Sequence, residues 1–534
     1  MEIIMRFLAS LLNIFGFFVY SIIYVITKFR KRKIVPPITN KLLLMPAIEL
    51  AEKIRKQEIK SESVVRAYIE RIQEVDPYLN AVIENRFSEA IKDAQRADEL
   101  CTKLSQQEIA TKYPLLGIPF TVKESVGLKG CSHVVGNVHR KGYRAIKDGA
   151  VVENLKQAGC IPLLVSNNPE FCFSWETDNI INGTCHNPYD TRRSPGGSSG
   201  GEAALIGAGA SLFGIGSDVA GSIRVPGLFT GIFGHKPTGG FLSTDGHFPR
   251  PECDNVRIFL QVGPMARYAK DLPILMQIMA GENAYKLNLE RPIATKDIKV
   301  FYLEDLPFSF SRIPTSSNIQ LSIMRAVNYL KKVGLKTEKA NIPEFYRIEE
   351  ISFANVADVT NVPSILVNPK DPENSDNLFL EIMKHVIAKP KYSFAALGFD
   401  FLVLSNHNFI PKRNFPKWAK KRDELKASLI KMLGEDGVLI LPTYNKQAII
   451  QKTSLVNITG FVFVVAWNVL GFPATHVTMG LDDKGIPVGF QVVAAPYMDK
   501  LCLQIATELE AAFGGWVPPK SNMLDESKEV LIKS

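Results

Sequence analysis

The sequence has no C-x-x-C pair and an odd number of cysteines, at Cys101, Cys131, Cys160, Cys172, Cys185, Cys253 and Cys502. That scatter argues against a disulfide framework and a clustered zinc site, and it fits a reducing compartment. There is no tandem repeat, no low-complexity tail and no G-x-x-x-x-G-K-[ST] loop, so a solenoid or a phosphate-cradling loop is not expected. Excess charge is missing too. The formal net charge of +9 falls to +4 once the five basic residues of KFRKRK, Lys28–Lys33, are set aside. So small a remainder predicts no nucleic-acid partner.

What is present is ordinary globular composition, 46% hydrophobic and 22% charged over 534 residues, enough for one large domain or two. The exception is the N-terminus. Phe7–Thr27 runs without a charge, and a helix of that length spans roughly 30 Å, a bilayer's hydrocarbon core. A cleaved signal peptide places its positive charge before a shorter apolar run. Here the basic cluster follows the run, which predicts a retained single-pass anchor with the rest of the chain cytosolic. The sequons at Asn182 (NGT) and Asn457 (NIT) matter only in the opposite orientation. The division expected is therefore residues 1–34 as anchor and basic flank, and 35–534 as one globular domain.

Polar helical segments follow, with apolar residues three and four apart. PLLGIPFTVKESV and GCIPLLVSNN then read as strands, the first holding Lys123 in apolar company. GVLILPT and IPVGFQVVAA read as strands near the C-terminus. Strands alternating with helices predict an α/β layered fold. The segment LFLEIMKHVIAK places Leu378, Phe379, Ile382, Met383, Val386 and Ile387 on one helical face, and PKRNFPKWAKKR follows with six basic residues. Two readings stand: a core-facing helix with a solvated basic face, or a membrane-contacting cap that admits a lipophilic substrate.

The glycine- and serine-rich stretch Ser194–Gly240 holds the candidate chemistry. GGSSG, Gly196–Gly200, matches a nucleophile elbow centred on Ser198, and the next register centres it on Ser199, with His476 as a triad candidate. An elbow needs a strand running into it, and HNPYDTRRSP with Pro188 and Pro195 cannot be a central strand. GIGSDVAGSIRVP has the better context: a strand, a tight turn at Val219–Gly221, then a helix start. Ser222 there is either a helix N-cap or a nucleophile beside backbone amides that can hold an oxyanion. Lys123 is either an edge-strand lysine reaching water or a desolvated, neutral base.

GIPFTVKES, SPGGSSGGEAALIGAG and GIGSDVAGSIRVPGLFTGIFGHKPT together resemble the amidase signature hydrolases. LNAV (Leu79–Val82), ILPT (Ile440–Thr443), LGFPATHVTMG and GIPVGFQVV extend the resemblance over roughly residues 40 to 515. The resemblance implies a large mixed β-sheet flanked by helices, to which the anchor adds one transmembrane helix. It also implies a Ser-cis-Ser-Lys triad: Ser222 as nucleophile, Ser198 as bridging serine and Lys123 as base. The spacings of 75 and 24 residues agree with the family pattern. The implied oxyanion hole is the amides of Val219, Ala220, Gly221 and Ser222, and Ser199, Asp218 and Arg224 would brace the site. Where the family often has Gly-Gly-Ser, this chain has Ala220-Gly221-Ser222, which keeps the amide if φ at Ala220 is negative. No cofactor and no metal are implied.

Within the family, the anchor points to membrane-bound members acting on long-chain acyl amides, such as N-acylethanolamines and primary fatty amides. The alternatives are the amidase subunit of a tRNA-dependent glutamine amidotransferase, or a general amidase or esterase. The sequence is compatible with a homodimer.

Overall fold

The computed structural model describes residues 2–250, 254–289, 293–359, 362–368, 371–387, 389–404 and 411–519; Cys253 lies outside them. The six described cysteines are free.

The α/β expectation takes the form of one mixed sheet of eleven strands. In chain order the strands are β1 (Val82–Asn85), β2 (Pro119–Lys123), β3 (Ile161–Ser166), a minor hairpin of β4 (Asp178–Asn179) and β5 (Gly183–Thr184), β6 (Phe213–Asp218), β7 (Phe233–Lys236), β8 (Gln261–Ala266), β9 (Lys299–Tyr302), β10 (Lys336–Lys339), β11 (Gly437–Leu441), β12 (Ala474–Leu481) and β13 (Pro487–Ala494). Across the large sheet they lie in the order β1-β3-β2-β6-β8-β7-β12-β13-β11-β9-β10. β2 runs parallel to both β3 and β6, while β6 and β8 are antiparallel.

Every residue of β2, β3, β6, β8 and β13 is buried, as expected of strands covered by helices on both faces. That explains why these segments read as continuous apolar runs rather than alternating ones. Phe120 and Phe213 stack at 5.7 Å between β2 and β6 and tie the two strands that carry the site. The register pairs Thr121 with Gly214, so Lys123 and Asp218 both arrive at the C-terminal ends of neighbouring parallel strands. Ligands of open α/β sheets bind at such ends.

The apolar N-terminal run lies within one helix, Glu2–Lys28, long and apolar enough to cross a membrane. Its Arg6 Nε, Ser10 Oγ and Asn13 Nδ2 donate to Glu350, the Phe310 carbonyl and the Ser311 carbonyl. The helix Leu378–Ile387 departs from the core-facing expectation. Leu378 and Ile382 turn inward, whereas Phe379, Met383, Val386 and Ile387 stay exposed. Its apolar stripe is wider than the small cluster beneath it. In the basic segment, Phe415 and Trp418 are buried in a core cluster, with Lys417, Lys420 and Lys421 exposed around them, as in the solvated-face reading.

Candidate active site

Lys123 is completely buried at the end of β2. Its Nζ donates to Ser198 Oγ at 2.7 Å and to Ser217 Oγ at 3.0 Å. Burial lowers its pKa, against smaller raising effects from Cys172, Asp218 and Glu202. A lysine that reached water would keep its ordinary value, so the edge-strand alternative does not describe it. An amine pushed toward neutrality, hydrogen-bonded to a serine, is equipped to take a proton.

Ser198 follows a cis Gly197–Ser198 peptide bond. A side chain on Gly197 would stand 2.6 Å from the Glu176 nitrogen and the Ser174 carbonyl, so only glycine lets the two segments meet. No strand leads into Gly196–Gly200; the chain is irregular there, and a helix starts at Gly200. His476 is buried on β12, hydrogen-bonded with Thr443 Oγ1 at 2.8 Å, and is no part of the cavity wall described below. The elbow reading therefore has neither its strand nor its histidine.

Ser222 lies between β6 and the helix Arg224–Thr230. That helix has no side-chain cap, so Ser222 is not an N-cap. Among the described residues no hydrogen bond reaches its hydroxyl, and it stands on the wall of a cavity with Ser198 and Ser217. The structure thus joins Lys123 to Ser198 directly and brings Ser222 to the same cavity without a Ser198–Ser222 hydrogen bond. Contacts of this kind often close only with substrate in place.

The turn before Ser222 is held from several sides. Trp175 Nε1 donates to the Ala220 carbonyl at 2.8 Å, and the Gly221 nitrogen donates to Asp218 Oδ1 at 2.7 Å. These are the two ends of one peptide unit, so that plane is locked with its N–H turned to Asp218. The Gly221 amide is therefore already engaged. The amides of Val219, Ala220 and Ser222 have no hydrogen-bond partner among the described residues. Of Asp218–Ser222, Gly221 alone takes a positive φ, +99°, and a Cβ there would meet Val464 at 2.4 Å. Ala220 keeps a negative φ and with it an ordinary amide.

Asp218 and Arg224 are both fully buried and paired, Nε to Oδ2 at 3.0 Å. Burial alone would raise the Asp218 carboxyl, but Arg224, Lys236 and Asn468 hold it well below the usual carboxylate range. Arg224 is itself fixed by Asn468 Oδ1 at 2.7 Å, Gln491 Oε1 at 2.8 Å and the Val464 carbonyl at 3.0 Å. Ser199 spans the strand end and the turn: its nitrogen donates to the Ser222 carbonyl at 3.2 Å and its hydroxyl to the Ser217 carbonyl at 3.3 Å.

The cavity encloses about 190 Å³. Beyond the serines most of its wall is hydrocarbon, including Val256, Phe259, Leu260, Phe399, Phe461 and Val465. Sequence reasoning missed five neighbours of the serines and Lys123. Ser217 is Lys123's second acceptor, and Cys172, Trp175 and His247 line the wall. Glu202, with its carboxyl raised by burial to about 7, accepts from Thr121 Oγ1 at 2.5 Å. A signal existed for two of them. PEFCFSW, Pro169–Trp175, follows the C-terminal end of parallel strand β3, where a ligand site is expected.

Residues 63–503 match the family described as Amidase. Fatty-acid amide hydrolase 2-B of Danio rerio is 39% identical over 92% of this chain and 93% of its own. Fatty-acid amide hydrolase 2 of Homo sapiens is 34% identical over 90% of this chain and 92% of its own. Among solved structures, one described as fatty acid amide hydrolase superposes with a TM-score of 0.69 at 21% identity, covering 89% of this chain and 86% of that one, and so supports the fold. A buried Lys123–Ser198 pair, its lysine at the end of a parallel strand, in a chain matched over most of its length, fits this protein's place in the amidase family of amide hydrolases.

Proposed function

We propose that this chain is a membrane-bound serine hydrolase of long-chain fatty-acid amides, working through an acyl-enzyme on Ser222. The observation that carries the reading is the hydrocarbon-walled cavity opening from Ser222. It suits an acyl chain, and among the described residues no charged side chain lines it to pair with the ammonium and carboxylate of a free amino acid such as glutamine, which disfavours the amidotransferase alternative. The relatives reported above bear names for the same activity.

In this mechanism Ser222 Oγ bonds to the amide carbonyl carbon while its proton passes to Ser198, and the Ser198 proton passes to neutral Lys123. The carbonyl electron pair moves onto oxygen, where the amides of Val219, Ala220 and Ser222 receive it. The Gly221 amide keeps the turn rigid through Asp218. The proton then returns along the same path to the nitrogen as the C–N bond breaks. Water attacks the acyl-enzyme by the same relay and releases the fatty acid. Asp218, Arg224 and Ser199 are positioning residues that hold the turn.

Measured across acyl amides of increasing chain length, kcat/KM is expected to rise about fourfold for each methylene that enters the cavity. A preference for the shortest acyl chains overturns the lipid reading.

The Phe7–Thr27 run serves in this proposal as a single-pass anchor, and the exposed apolar side of Leu378–Ile387 as a second membrane contact. The cluster Lys28–Lys33 favours a cytosolic catalytic domain of residues 35–534. Asn182 is then expected to remain unglycosylated in cell membranes. A mass shift on glycosidase treatment that disappears in Asn182→Gln would reverse the orientation.

A further inference from the structure

The relay described above leaves one contact of its lysine without a purpose. Lys123 Nζ lies 2.7 Å from Ser198 Oγ and 3.0 Å from Ser217 Oγ. Among the described residues it has no carboxylate within ion-pair distance. Asp218 and Glu202 act on it only through their charge, and Cys172 is a further polar neighbour. His247, on the same cavity wall, is held neutral by its burial and by Lys123. Two hydroxyls therefore do for this amine what a carboxylate does for most buried lysines.

The second hydroxyl is held firmly. Ser217 is 2% exposed on β6, where it pairs with Val262 of β8. Its nitrogen donates to Ser199 Oγ at 3.3 Å, and its carbonyl accepts from the same hydroxyl at 3.3 Å. The backbone alone thus aims Ser217 Oγ at Lys123, from a different segment than Ser198. The two distances also differ in kind. The 3.0 Å contact has the usual length of an N–H donor to oxygen, and the 2.7 Å contact the shorter length of a hydroxyl donor.

A neutral amine carries two N–H bonds and one lone pair, and the terminal torsion of a lysine has three staggered settings. A base for Ser198 must turn its lone pair to Ser198 Oγ. An N–H engaged at a fixed second acceptor excludes the setting that turns the lone pair there instead. Once the proton has arrived, the ammonium donates to both hydroxyls, and the new charge keeps two partners in a site without a nearby carboxylate.

Resting on the acyl-enzyme reading above, we propose that Ser217 is a positioning residue of the relay: its Oγ accepts one N–H of neutral Lys123, aims the lone pair at Ser198 and then holds the ammonium that forms.

The test follows kcat and KM across pH for the full-length protein, its Ser217→Ala variant and its Ser217→Thr variant, on whichever amide the parent cleaves fastest. Ser217→Ala is expected to lower kcat about thirtyfold with KM little changed. The acid limb of its kcat/KM profile should move to lower pH by about one unit. The ammonium loses an acceptor that matters less to the neutral amine, so the lysine gives up its proton more readily. A serine that only filled space would leave that limb in place. Ser217→Thr keeps the hydroxyl and should return the limb and most of kcat. If Ser217→Ala does not fold, Ser217→Cys takes its place, since sulfur is a weak acceptor of similar size, and the same shift is expected. An acid limb that stays or moves to higher pH overturns the proposal, as does a folded Ser217→Thr that behaves like Ser217→Ala. Rates of fluorophosphonate labelling against pH give the same limb without any amide. A parent that cleaves no long-chain amide therefore ends the fatty-amide reading, while the limb still decides the role of Ser217.

Discussion

Ser222→Ala is expected to lower kcat for amide hydrolysis by about a thousandfold or more while the chain remains folded. The hydroxyl contributes no hydrogen bond to the described structure, so its removal leaves no unmet partner. The turn around it is held by Asp218, Arg224, Trp175 and Ser199, none of which depends on the Ser222 side chain. A fluorophosphonate probe should label the parent and not the variant, with thermal midpoints close together. Labelling that persists in Ser222→Ala would remove Ser222 as the nucleophile. Loss of labelling together with loss of folding would instead make the serine structural.

Lys123→Met is expected to cost about a thousandfold in kcat/KM at neutral pH, with a smaller deficit at high pH where hydroxide replaces the missing base. In the parent, activity should climb as pH rises through the lowered pKa of Lys123, and the variant should lose that limb. A deficit uniform across pH would count against a base role.

Stability reads the same group independently. The folded pKa lies below the ordinary value of 10.5, so between the two the unfolded chain holds the extra proton. Stability of the parent therefore rises with pH across that window, by about 1.4 kcal/mol per pH unit for one proton, and falls as pH drops toward the folded pKa. The methionine has no such term. The stability of the variant relative to the parent should be greatest at low pH and shrink toward pH 10.5. Urea midpoints taken from acid to alkaline pH would show it, and a constant difference would mean that Lys123 is not destabilised in its charged form.

Much of this site was legible because its chemistry sits in unbroken stretches. GIPFTVKES announced a lysine in an apolar strand, and GIGSDVAGSIRVP announced a strand, a turn and a helix start. Pro188 and Pro195 excluded the elbow without any structure. The Leu378–Ile387 helix was less legible. Its apolar periodicity is real, but periodicity reports that a face is apolar and not what covers it, and here most of that face is left uncovered.

What remained illegible depended on contacts between segments far apart in the chain. Ser217 reads from the sequence as one more strand residue, yet the parallel register of β2 and β6 brings it to Lys123 Nζ. Asn468 and Gln491 lie more than 240 residues from Arg224 and still complete its shell. The engaged state of the Gly221 amide needed both Asp218 Oδ1 and the Trp175 indole to be placed.

The sequence by itself determined the strand–turn–helix around Ser222, the apolar setting of Lys123, the apolar N-terminal run and the family. Each is a matter of residue type and period within one short segment, where local sterics and hydrophobic burial decide. Only the tertiary structure decided that Lys123 Nζ meets Ser198, that Ser222 caps no helix, that three amides rather than four are free, and that His247 stands on the cavity wall. Those are distances between side chains brought together by sheet register and packing, and no spacing along a chain specifies them.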